Sequence, residues 1–170
     1  EISYQELDTF LDSKIEGISR RLLVEGIYRL SPLQEGMLFH GLYNRQEDVY
    51  LEQFTCELKN LNLVALQESW NCLLKSHSIL RTSFYHDKFN IPVQCVYRYA
   101  ELPIKLLDYR DRSESEQLRA LEEYQNEDYT QGIDFSALPI MRLTLIQLSD
   151  DKYWLLWTFH HILTDGWSMQ

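Results

Sequence analysis

Apolar positions recur along this chain at two spacings, and each change of spacing marks an element boundary. Ser3 and Glu6 form a capping box, behind which Tyr4, Leu7, Leu11, Ile15 and Ile18 follow at helical spacing. Gly17 and Gly26 bracket a less regular segment leading into Ile27-Tyr28-Arg29-Leu30. Ser31-Pro32-Leu33-Gln34 opens a second helix. Ser31 caps it, Pro32 takes the first-turn position where a missing N–H costs nothing, and Gln34 completes a capping box. This helix is predicted to reach about Tyr43, with Leu33, Met37 and His40 along one face. Gly36 in its interior costs about 1 kcal/mol against Ala, which close approach of another backbone or of a ligand would justify.

Residues 49–59 alternate as a strand, with Val49, Leu51, Gln53, Thr55 and Glu57 on one face and Tyr50, Glu52, Phe54, Cys56 and Leu58 on the other. Leu63, Leu66, Trp70, Leu73, Leu74 and His77 form a helical stripe, with His77 read as a satisfied core residue. Residues 80–85 return to a period of two, setting Leu80, Thr82 and Phe84 against Arg81, Ser83 and Tyr85. Further strands are predicted over 92–99 and 103–108. Ser113 and Glu116 then cap an acidic helix with Leu118, Leu121 and Tyr124 or Gln125 inward. A loop over 134–139 precedes a strand at 140–148 that is apolar on both faces and belongs inside a sheet. A hairpin at 149–152 leads to the last strand, where Tyr153, Leu155, Trp157, Phe159 and His161 share a face.

The chain's 170 residues suffice for one domain with a core, and 45% apolar content argues against disorder. A net charge of −10 disfavours nucleic acid as a partner. No apolar run has the length of a membrane span, and no signal peptide is evident, so a cytoplasmic protein is expected. Cys56, Cys72 and Cys95, odd in number and widely spaced, read as reduced, buried thiols.

The chemistry concentrates at the end of the last strand. His160 and His161 leave the strand, Asp165-Gly166 is a turn pair, and Trp167 and Ser168 begin a new element. An imidazole at a sheet rim, held by a nearby carboxylate, suits proton transfer. Adjacent histidines on a strand diverge, so a metal site is not expected. His160-His161-x-x-x-Asp165-Gly166 resembles the HHxxxDG signature of the condensation domains of non-ribosomal peptide synthetases. Epimerization domains share it, and chloramphenicol acetyltransferase-like enzymes carry a shorter HxxxDG. The run from Ser31 to His40 resembles the first core motif of condensation domains, and its Gln34-Glu35-Gly36-Met37 is similar to the subtype that takes a donor ending in a D-residue. Residues 76–84 resemble the second core motif, RHExLRTxF, with Ser76 and Ser78 replacing its Arg and Glu.

The resemblance implies an α/β fold, an α+β sandwich: one chloramphenicol acetyltransferase-like lobe with a mixed β-sheet and helices packed on it. Residues 1–26 would be an N-terminal helix and linker, and 27–170 the N-terminal subdomain of a condensation domain whose C-terminal lobe lies elsewhere. It implies peptide-bond formation, in which the amine of an acceptor aminoacyl thioester attacks a donor thioester. No cofactor would bind directly. Phosphopantetheine arms on upstream donor and downstream acceptor carrier domains would bring the substrates, with an adenylation domain in the same synthetase. His161 is the candidate base or positioning group, and the Gly166 N–H a candidate for oxyanion charge. His160 is read as a packing residue and Asp165 as structural, paired by resemblance with Arg81. Ser31, Gln34, Gly36, Met37, Trp167 and Ser168 are candidates to line the substrate channel. A lobe that binds carriers without catalysing, and an epimerization domain, stand as alternatives.

Overall fold

The structure, a computed structural model, describes residues 2–43 and 49–164. Helix α1, Tyr4–Asp12, begins at the expected capping box: the Glu6 N–H donates to Ser3 Oγ at 3.1 Å and the Ser3 N–H to Glu6 Oε2 at 2.8 Å. It buries Phe10 edge-on to Tyr85, while Tyr4, expected on the inner face, is exposed. The helix does not continue to Ile15 and Ile18. These lie in a two-stranded ribbon, β1 (Lys14–Ile15) and β2 (Ile18–Ser19), reversed through Glu16 and Gly17 at φ of 48° and 85°. Only a residue without Cβ takes that second angle freely. The short helix α2, Arg20–Leu23, then feeds strand β3, Val24–Arg29.

Helix α3, Pro32–Tyr43, carries the second capping box, with Gln34 N–H to Ser31 Oγ at 3.2 Å and Ser31 N–H to Gln34 Oε1 at 2.9 Å. Its buried face is rotated from the expected one: Leu38 and Gly41 are inside, Met37 is half-buried, and Leu33 and His40 are exposed. Strand β4 is Leu51–Lys59. Helix α4, Leu63–Ser76, is capped by the Asn62 side chain and turns Leu74, Leu66 and Trp70 inward. His77 caps its C-terminus and is exposed, not part of the core. Leu80 and Arg81, expected at the start of a strand, belong to a 3₁₀ turn over Ser78–Arg81, and strand β5 is only Thr82–Tyr85. Strands β6 (Val93–Tyr97) and β7 (Ile104–Asp108) follow. Helix α5, Glu114–Thr130, is capped by Glu116, whose Oε2 accepts from the Ser113 N–H at 2.8 Å. Ala120, Leu121 and Asp128 face inward, and Leu118 is exposed, contrary to expectation. Strands β8 (Met141–Gln147) and β9 (Lys152–His160) form the expected hairpin.

The strands build a mixed four-stranded sheet in the order β4-β9-β8-β7 and an antiparallel three-stranded sheet in the order β3-β6-β5. β7 and β8 run parallel, joined by α5, as a parallel pair requires a crossover. Both faces of the four-stranded sheet are covered. Leu143, Leu145, Leu155 and Phe159 pack with Trp70 and Leu74 of α4. Ile146, Trp154 and Leu156 pack with Leu121 and Tyr124 of α5 on the other side. β8 is thus buried on both faces, as its unbroken apolar run predicts. Phe10 packs with Val93, Cys95 and Tyr97 of the three-stranded sheet. A further cluster joins Leu38 of α3 and Phe84 of β5 to Ile162 and Leu163, directly after the histidine pair. That cluster sets α3 beside the end of β9. No helix among the described residues is long and apolar enough to cross a membrane.

Candidate active site

β9 is flanked by β4 and β8, and its pairing with β4 runs to the last residue, Leu51 opposite His160. The ladder then extends by one more bond, from the His161 N–H to the Tyr50 carbonyl at 2.9 Å. Adjacent residues on extended backbone project to opposite faces, so the histidines part company. His160 is fully buried, its Nδ1 accepting from the Ile162 N–H at 3.0 Å and its ring edge-on to Phe135 at 4.9 Å. That is a packing environment.

His161 emerges on the α4 face, beyond Phe159, and remains partly open to solvent. Its Nδ1 lies 3.0 Å from the Thr164 carbonyl, which can only accept, so the Nδ1–H is the donor. That bond holds the ring with Nε2 turned toward β4. Nε2 stands 3.3 Å from Glu52 Oε1. Neither Glu52 nor the Thr164 carbonyl is visible as a site group in the sequence. Glu52 arrives through cross-strand register, which no local pattern encodes. The one sequence signal for it is the face it shares with Phe54 and Cys56 on β4.

Arg81 is buried at the top of β5, where Nε donates to the Leu74 carbonyl at 2.7 Å and the guanidinium also donates to the Tyr97 carbonyl. Its described acid partner is Glu25, at 3.1 Å. The expected Arg81–Asp165 pairing lies outside the described residues, as do Gly166, Trp167 and Ser168. Of the channel candidates, Ser31 and Gln34 are occupied in capping α3, and Gln34 also meets Gln94 at 3.5 Å. Met37 packs beside the cluster that holds Ile162 and Leu163. Gly36 faces open space, an added Cβ meeting nothing within 4 Å, so no backbone approach among the described residues explains it.

A second buried polar group underlies the site. Asp128 of α5 takes Arg142 Nε at 2.8 Å, the Thr158 hydroxyl at 2.5 Å and Gln53 Nε2 at 3.1 Å. Burial works against its charge, but Arg142 and the Thr158 hydroxyl outweigh it and hold the carboxyl below its ordinary range. The acidic composition of α5 conceals this residue, since in sequence it is one acid among the many of a solvated face.

A family model described as Condensation domain matches residues 24–170. The chain belongs to the condensation-domain family. A linear gramicidin synthase of Brevibacillus parabrevis is 37% identical over 168 residues, 99% of this chain and 3% of that protein. Bacitracin synthase 3 of Bacillus licheniformis is 40% identical over 147 residues, 86% of this chain and 2% of that protein. A surfactin synthase of Bacillus subtilis (strain 168) is 37% identical over 145 residues, 85% of this chain and 11% of that protein. This condensation-family chain therefore spans a small fraction of the curated relatives it matches. A four-domain nonribosomal peptide synthetase bound to AMP and glycine superposes with a TM-score of 0.73 at 19% identity, over 86% of this chain and 11% of that one. The starter condensation domain of rhizomide synthetase superposes with a TM-score of 0.71 at 19% identity, over 84% of this chain and 36% of that one. At such identities the likeness is one of fold, and the condensation-domain fold is what it shows.

Proposed function

We propose that residues 27–170 form the N-terminal lobe of a condensation domain that makes peptide bonds between two carrier-bound thioesters in a cytoplasmic synthetase. Donor and acceptor would arrive on phosphopantetheine arms of an upstream and a downstream carrier domain, after loading by an adenylation domain. A C-terminal lobe would close the channel over the α4-face end of β9. The form of Gln34-Glu35-Gly36-Met37 favours a donor ending in a D-residue.

The observation that carries this reading is the His161 ring, anchored through Nδ1 and presenting Nε2 at a partly open sheet rim. A thioester is already an activated acyl donor, and an α-amine has a pKa of about 8, so catalysis needs positioning and one proton acceptor. His161 Nε2 fills that role. The Gly166 N–H would stabilise developing oxyanion charge, and Asp165, paired with Arg81, would brace the turn.

The test is His161→Ala in the intact synthetase, with both carriers loaded and dipeptide formation followed by mass spectrometry. Product formation is expected to fall about 100-fold or more, the usual contribution of a positioned proton acceptor, while circular dichroism stays unchanged. Wild-type rates of product formation would overturn the reading.

A further inference from the structure

Glu52 sits on β4, at the edge of the four-stranded sheet, opposite Phe159 in the ladder. Its side chain therefore leaves on the same face as Phe159 and His161, one diagonal step from the imidazole. The two side chains are 47% and 31% exposed, so the 3.3 Å between Glu52 Oε1 and His161 Nε2 is open to solvent. With Nδ1 committed as a donor to Thr164, Nε2 is the ring atom that gains or gives up a proton: protonated it is the ion-pair partner of Glu52, and deprotonated it turns a lone pair toward that carboxylate. In the deprotonated state two acceptors face each other, one of them anionic. A cation with at least two N–H groups satisfies both. An α-ammonium is such a group, and with a pKa of about 8 it is the main form of an acceptor amine at neutral pH. It is also the unreactive form, because its nitrogen has no free electron pair.

We propose that Glu52 is the receptor for the α-ammonium of the acceptor aminoacyl thioester and delivers it to His161. This rests on the condensation reading above. One N–H of the ammonium donates to Glu52 and another to His161 Nε2. Nε2 takes the second proton, which leaves a neutral amine and an imidazolium whose charge the Glu52 carboxylate offsets. The amine lone pair forms the C–N bond to the donor thioester carbon, and the C–S bond breaks. The departing thiolate takes the second amine proton and leaves as a thiol. The imidazolium then releases its proton to solvent. Ammonium and thioester have become amide, thiol and one proton, and the pair is reset.

The experiment uses Glu52→Gln and Glu52→Asp in the intact synthetase, with the donor on its carrier. The acceptor is a soluble aminoacyl N-acetylcysteamine thioester at varied concentration. Glu52→Gln is expected to raise the acceptor KM about tenfold with a smaller change in kcat, and Glu52→Asp to recover most of the loss. The matching α-hydroxyacyl thioester, which carries no ammonium, is expected to inhibit wild type and Glu52→Gln with equal Ki. An acceptor KM within about twofold of wild type in Glu52→Gln overturns the proposal, as does an equal loss of affinity for the hydroxy analogue. His161→Ala run alongside separates the two ideas. Retained turnover there removes the condensation reading. Lost turnover there, with a normal acceptor KM in Glu52→Gln, removes only the role of Glu52.

Discussion

Two residues that differ by one position in sequence, His160 and His161, meet opposite surroundings because a strand alternates its side chains. The three cysteines show the same dependence on position. Cys95 on β6 is fully buried, and burial pushes its thiol up to about 11. Cys56 on β4 is half-buried, and burial raises it too. Cys72 stands exposed on α4, so the expectation of three buried thiols fails at this residue. The thiolate is the reactive form, and a reagent must also reach it. Iodoacetamide at neutral pH is therefore expected to modify Cys72 in the native protein and Cys95 only after denaturation, as read by peptide mass spectrometry. Comparable native labelling of Cys95 and Cys72 would contradict the burial of Cys95.

Among the elements, α3 separates local information from non-local information. Its start is legible because a capping box spans three residues and needs nothing from the rest of the chain. The same holds for α1 at Ser3 and Glu6 and for α5 at Ser113 and Glu116. Which face of a helix is buried is decided by its neighbours, and there periodicity misleads: Tyr4, Leu33 and Leu118 lie outside, while Phe10, Leu38 and Asp128 lie inside. The turn at Ser78–Arg81 is hidden for a related reason. Its alternation mimics a strand, but Arg81 folds back to bond the carbonyls of Leu74 and Tyr97, on two different elements. At the site, the histidine pair is legible as a motif, and Glu52 is not, because β4–β9 register is a long-range fact. Gly36 gives α3 its own test. An alanine methyl there meets nothing within 4 Å, so Gly36→Ala is expected to stabilise the helix by about 1 kcal/mol and raise Tm by about 3 °C. Thermal unfolding checks it, and a fall in Tm would show that the helix is more crowded at Gly36 than open space allows. Raised stability with lost condensation would instead mark Gly36 as a place where substrate passes.

At the scale of the whole molecule, the four-stranded sheet and α5 are joined by one charged cluster, and the histidines lie at its edge. Asp128 binds Arg142 of β8, Thr158 of β9 and Gln53 of β4, while Arg142 also donates to the Gly132 carbonyl at 2.6 Å. Thr158 precedes His160 by two residues, and Phe135, just past Gly132, forms a wall of the His160 pocket. The cluster thus fixes strand end and loop together. The Asp128 side chain is 5% exposed and that of Arg142 26%, so removing the carboxylate charge strands a guanidinium in a mostly dry site. Losing one partner of a buried pair costs about 3 kcal/mol or more, and Asp128→Asn is expected to lower the urea midpoint accordingly. The sign of the pH effect follows from the carboxyl's depressed pKa. Its stabilisation is present in full above the unfolded value of about 3.9 and is lost as pH falls through the lower folded value. Wild type is therefore expected to lose stability below about pH 4 more steeply than Asp128→Asn, which has no such proton to take up. Urea titrations of both proteins at pH 7 and at pH 3 measure the difference directly. Parallel acid losses in the two would mean that the carboxylate is not the charge that binds α5 to the sheet.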